Sequence, residues 1–299
     1  MKRKQIYDFL FVLCIAVFLV SGGTLIYKVW QQKKNDGRLE DLSGLVSEQL
    51  LAAGTEGSQA GGTAGAGSQE RAAGQMEGQD IRALREARVK AYAKVKEQNP
   101  DLVGWVKIEG TKIDYPVLQT VDNPNFYLKH DFDRKSSIYG APYVAEECDL
   151  ANDCKNILIY GHHMKNGSMF AALDEYLDKG FRDAHPIVQF DTLEEYGDYQ
   201  VMAAFTMSAV DQDNPLYQWI SAGSEEAFAN YVSYVKKHSA YDTGIDARWG
   251  DHLISLVTCE YTHRDGRLIV VAKKMEENGK GQGEKGDLSQ AEKEEAGGK

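Results

Sequence analysis

Residues 252–275 read HLISLVTCEYTHRDGRLIVVAKKM. Two runs rich in Leu, Ile and Val, His252–Tyr261 and Arg267–Met275, flank a short polar connection that contains Asp265-Gly266. Apolar, β-branched runs bounded by such turn residues predict a β-hairpin. The same signature recurs upstream, over Trp105–Ile108, Ile113–Gln119, Ser137–Glu146, Asn156–His162, Pro186–Thr192 and Asp198–Val210. That makes about eight candidate strands. Closing them into a barrel removes unpaired edges, so a closed or nearly closed barrel is favoured over an open sheet. The expected fold class is mainly β, an eight-stranded barrel with peripheral helices.

Three helices accompany the strands. Asp80 can cap DIRALREARVKAYAKVKEQNP, with Ile81, Leu84, Val89, Tyr92 and Val95 on one face and Pro100 at the end. A second covers Met169–Leu177. The third, Ser224–His238, carries Phe228, Tyr231, Val232 and Val235 on one face, which should pack on the barrel.

The ends of the chain have another character. Lys2, Arg3 and Lys4 precede an apolar run from Phe9 to Tyr27, long enough to cross a bilayer. Basic residues stay in the cytoplasm, so the rest of the chain is expected outside, on a single-pass anchor at the cell membrane. A cleaved signal peptide is the rival reading, since small residues Ser21, Gly22 and Gly23 follow the apolar core. The expected organisation is a basic tip and transmembrane anchor over 1–30 and a flexible Gly/Ala/Ser-rich tether over 31–79. A globular domain follows over 80–275, then a disordered charged tail over 276–299. The formal charge of −11 and the lack of a Lys/Arg cluster argue against nucleic acid as a partner.

Four cysteines occur. Cys14 lies in the apolar run. Cys148 and Cys154 are close enough in sequence to bridge a short loop in an exported domain, or to remain thiols. Their spacing and surroundings do not supply a zinc site. Cys259 is left over.

Three segments can carry chemistry: IYGHHM around His162, LVTCEY around Cys259, and GRLIVV around Arg267. Cys259 and His162 each lie near the end of an apolar strand, beside a loop, where a rigid element can hold a reactive group open to substrate. The hairpin puts Arg267 on the strand beside Cys259, within a diagonal neighbour's reach. A thiolate is a nucleophile whose formation a cationic neighbour favours. An imidazole can protonate a leaving amine, and a guanidinium can hydrogen bond a developing oxyanion. Together they describe acyl transfer through a thioester. Taken singly, Cys259 reads as well as a packing residue, His162 as a structural hydrogen-bonder and Arg267 as a solvated strand charge.

These three motifs, in this order, resemble those of the sortases. Ser255-Leu256-Val257-Thr258-Cys259 is similar to the family's Thr-Leu-x-Thr-Cys signature, with Ser for the leading Thr. The leading helix, the segment GHHMKNGSMF and the helix Ser224–His238 are similar to class B members. The resemblance implies a cysteine transpeptidase with Cys259 as nucleophile, His162 as general acid and base, and Arg267 as oxyanion or substrate clamp. Thr258, Tyr261 and Ser168 are implied as substrate-binding residues, with no metal and no organic cofactor. Its implied partners are surface proteins bearing an Asn-Pro-x-Thr-like sorting signal, cleaved after Thr, and a peptidoglycan crossbridge amine. A pilin amine, or water as in a hydrolytic cysteine protease, are the alternative acceptors.

Overall fold

The computed structural model describes residues 2–59, 86–152, 154–193, 195–208, 222–260 and 266–276. Helix α1 (Lys2–Gln59) leads the chain, and α2 covers 86–98. The strands are β1 (Leu102–Lys107), β2 (Asp114–Leu118), β3 (Tyr143–Val144), β4 (Asn156–Tyr160), β5 (Ile187–Thr192), β6 (Asp198–Ser208), β7 (Leu253–Glu260) and β8 (Gly266–Lys274). Helices α3 (Lys179–Ala184) and α4 (Glu225–His238) lie between late strands, and a 3-10 turn covers Ala171–Leu177.

The eight strands close into a barrel in the order β1-β2-β3-β4-β7-β8-β6-β5, with β5 returning to β1. Most neighbours are antiparallel, but β4 runs parallel to β7 and β2 to β3. Strands β7 and β8 are buried along nearly their whole length, which explains their continuous apolar runs in place of an alternation. The expected strand Ser137–Glu146 shrinks to Tyr143–Val144, because Gly140 takes a left-handed φ of +57° that no strand continues through.

Helix α4 starts on Ser224, whose Oγ accepts from the Ala227 N–H at 3.2 Å. Its expected face, Phe228, Tyr231, Val232 and Val235, is the buried one. Beneath it, the Tyr231 hydroxyl meets Ser255 Oγ at 2.5 Å, and Ser255 Oγ donates to Asn156 Oδ1 at 2.8 Å. Ser255 thus links α4 to β4 and β7. Helix α2 docks through Tyr92, stacked on Trp105 at 5.9 Å, and both Tyr92 and Arg88 hydrogen bond Asp191. Burial holds the Asp191 carboxyl above the usual range against the Arg88 charge. Val89 is exposed, contrary to the expected face, since steps of three residues along a helix drift by 60° each. The start of that helix, Asp80 to Leu84, lies outside the described residues.

The tether expected over 31–79 needs correction in its first part. Helix α1 continues to Gln59, and Leu39, Leu42 and Val46 are buried in the core. Their spacing makes one apolar stripe among charged neighbours. Polar pairs flank it: Arg38 Nε to Asp133 at 3.0 Å, Ser43 Oγ to Asp114 at 2.9 Å and Asn166 Nδ2 to Asp36 at 2.8 Å. Leu42→Ala should cost roughly 2–4 kcal/mol of that docking. Faster amide exchange across 36–50 would report it, and unchanged exchange would rule the docking out. Residues 60–79 of the expected tether and 277–299 of the expected tail lie outside the described residues.

Cys148 and Cys154 are buried thiols in contact. Hydrogen bonding with Cys148, and then burial, push the Cys154 thiol up.

Candidate active site

Strand register brings the three reactive side chains together. Cys259 on β7 pairs directly with Arg267 on β8, closer than the diagonal relation expected, so both side chains leave the same face of the ladder. On the other side of β7, Tyr160 of β4 pairs with Val257. The Gly161 N–H extends that ladder by donating to the Val257 carbonyl at 3.0 Å. His162 stands two residues beyond Tyr160, and Cys259 two beyond Val257. Parallel strands therefore deliver imidazole and thiol at the same level.

All three line one cleft with about 730 Å³ of empty space, part of it open to bulk water. Its walls also include Thr258, Asn125, Leu128, Tyr143, Glu146, Glu147 and Tyr160. Cys259 is half-buried, neither sealed in the core nor free on the surface.

His162 Nε2 lies 2.8 Å from the Leu128 carbonyl oxygen. A carbonyl can only accept, so Nε2 carries a proton and Nδ1 is left to take or give one. The imidazole edge lies against Gly140. A Cβ there would sit 2.8 Å from His162 Cδ2 and 2.6 Å from the Tyr127 carbonyl oxygen. Arg267 donates to the Gly266 carbonyl at 3.0 Å, and no carboxylate pairs with it among the described residues. Thr258 is 2 % exposed, and its Oγ1 has no hydrogen-bond partner among the described residues.

One expected residue, Ser168, is not among those lining the cleft. Ser168 is buried and does not line the cleft; its N–H and Oγ both donate to Asn166 Oδ1, at 3.1 and 2.8 Å. That side-chain turn holds Ser168 in the loop that reaches Asp36 on α1. Tyr261 lies outside the described residues. His163, next to His162, points instead at Asp174, with Nε2 2.6 Å from Oδ2. Among the described residues, no group of three or more His, Cys, Asp or Glu gathers to hold a metal ion.

Sequence reading misses Asn125, Glu146 and Glu147. Asn125 has a left-handed φ of +56° and accepts from the Tyr143 hydroxyl at 2.8 Å. The Pro124-Asn125 pair marks a turn, but nothing local places that turn beside Cys259.

A model of the sortase domain matches residues 106–275, more than half of the chain. The chain belongs to the sortase family. Sortase B of Staphylococcus aureus (strain NCTC 8325 / PS 47) is 31% identical over 184 residues, which cover 61% of this chain and 73% of that protein. Sortase B of Listeria monocytogenes serovar 1/2a is 34% identical over 185 residues, covering 60% and 72%. Among solved structures, a mutant form of Clostridium perfringens sortase B superposes with a TM-score of 0.59 at 30% identity, covering 64% of this chain and 90% of that one. A Staphylococcus aureus sortase B–substrate complex gives 0.57 at 28% identity, covering 62% and 85%. The sortase is of class B, a cysteine transpeptidase, and its closed barrel is the one those structures share.

Proposed function

We propose that this sortase cleaves an Asn-Pro-x-Thr-like sorting motif after Thr and passes the acyl group to a cell-wall amine, so anchoring surface proteins. The observation that carries the reading is the register of β7 with its two neighbours, with a half-buried thiol, an imidazole and a guanidinium lining one cleft.

The Cys259 thiolate attacks the Thr carbonyl carbon, and the carbonyl oxygen takes up negative charge. Arg267 donates hydrogen bonds to that oxygen. As the C–N bond breaks, His162 Nδ1 delivers a proton to the departing amine, leaving a thioester. An incoming amine then attacks the thioester carbon, Nδ1 takes its proton, and the C–S bond breaks to return the thiolate as the new amide forms.

Helix α1 supports an anchored enzyme. Every large apolar side chain from Phe9 to Trp30 is exposed, a state water disfavours and lipid favours. Tyr27 and Trp30, with ring centroids 6.3 Å apart, suit the outer interface. Lys2, Arg3 and Lys4 hold the other end in the cytoplasm, so the catalytic domain is outside.

A peptide library incubated with the enzyme, with and without an oligoglycine amine, tests the reaction by mass spectrometry. Transfer product that depends on the amine supports the reading. A product ratio indifferent to the amine would make the protein a hydrolase, and transfer only to a pilin lysine would make it a polymerase. The position of His162 can be tested separately. Gly140→Ala adds a methyl against the imidazole at a left-handed φ. A misplacement of that kind should lower kcat/KM by about 10²-fold while the barrel stays folded.

A further inference from the structure

Contacts between α1 and the barrel set the height of the cleft above the membrane. The apolar run of α1 ends near Tyr27, and one residue later the Tyr139 hydroxyl donates to the Lys28 carbonyl at 2.7 Å. The other polar contacts use Asp36, Arg38 and Ser43. At about 1.5 Å per helical residue these lie roughly 12, 15 and 22 Å farther from the span. The loop Ile138–Tyr139 is therefore the end of the barrel nearest the lipid.

That end is built unlike a water-facing surface. Ile138 is 57 % exposed. Leu128, 37 % exposed, lies beside it, because the Ser137 N–H donates to the Lys129 carbonyl and the Ala141 N–H to the Tyr127 carbonyl. Lys28 and Lys129 are exposed, and no carboxylate pairs with either among the described residues. The carbonyl of Leu128 is the one that takes His162 Nε2–H, so the cleft opens at this same end.

We propose that this end of the barrel is a membrane-contact surface. Ile138 and Leu128 enter the headgroup region of the bilayer that α1 crosses, and Lys28 and Lys129 meet the phosphates of anionic phospholipid. The occupant is a bilayer because the patch continues directly from the span and sets apolar tips beside exposed lysines. The enzyme then works on chains whose reacting ends are held at the lipid surface, where tethering raises their effective concentration. This rests on the anchored reading of α1 and on the cleft as the active site.

The test uses the full chain in vesicles of phosphatidylcholine and phosphatidylglycerol, with Cys14→Ser and Cys259→Ala to leave only buried native thiols. A fluorophore is attached at Ile138→Cys or, for comparison, at Glu109→Cys on the far turn near Asp114. Headgroup nitroxide lipids should quench the probe at 138 several times more strongly than the probe at 109. Equal quenching in chains that float with the vesicles overturns the contact surface alone. Chains that do not float overturn the anchor, and this surface with it. With Cys259 restored, Ile138→Glu should leave turnover of a soluble sorting peptide within about twofold and lower turnover of a lipid-tethered peptide about tenfold. Equal effects on the two substrates also overturn the proposal.

Discussion

Replacing Cys259 with alanine should abolish acyl transfer, lowering turnover of a sorting peptide on the order of 10⁵-fold or more. The loss is this large because the thiol forms the covalent bond on which both half-reactions depend. His162 and Arg267 have nothing to act on without it, so their contributions vanish together with the nucleophile's. The barrel should keep its stability, since the side chain is only half-buried and loses one sulfur atom. Two measurements check this: the covalent acyl-enzyme mass, present in the parent and missing in Cys259→Ala, and an unchanged unfolding transition. A variant that still accumulates acyl-enzyme would place the nucleophile elsewhere.

Arg267→Lys should lower kcat by roughly 10²–10³-fold with little change in KM. Lysine keeps the charge and the strand, but it offers a mobile point donor where arginine holds a rigid planar fork. The fork is aimed by the pairing of Arg267 with Cys259 and by its bond to the Gly266 carbonyl. If the guanidinium chiefly stabilises charge that develops on the carbonyl oxygen, the loss belongs in kcat. Had it served only to grip the peptide, KM would rise and kcat would hold. Steady-state kinetics on one peptide separate the two, and single-turnover acylation shows which half-reaction is slowed.

The framework of this site is legible in the sequence because strand patterns are local. Leu268–Ala272 and Leu253–Val257 are apolar runs that end where chemistry begins, and Asp265-Gly266 announces their connection. Pairing Cys259 with Arg267 follows from that hairpin, and only the register needs coordinates. Residues 39–46 teach the opposite lesson. Glu40, Asp41, Ser43 and Gly44 interrupt their apolar residues, and composition hides the helical spacing of Leu39, Leu42 and Val46. Periodicity is the better guide there. The cleft walls are beyond either signal. Asn125 comes from one loop and Glu146 and Glu147 from another, and their meeting depends on how the whole barrel closes. The placement of Ser168 is illegible for a third reason: a side-chain turn with Asn166 binds it away from the cleft lining.

Cys259 and Arg267 are spaced by one rung of the β7–β8 ladder, about 4.5–5.5 Å, and not by the residues that connect them. A change in the residues between β7 and β8 that keeps this register leaves the reacting pair undisturbed. Chemical competence is then written in the ladder itself, and a lineage of such enzymes can vary the length and sequence of the connection while the reacting pair is inherited intact.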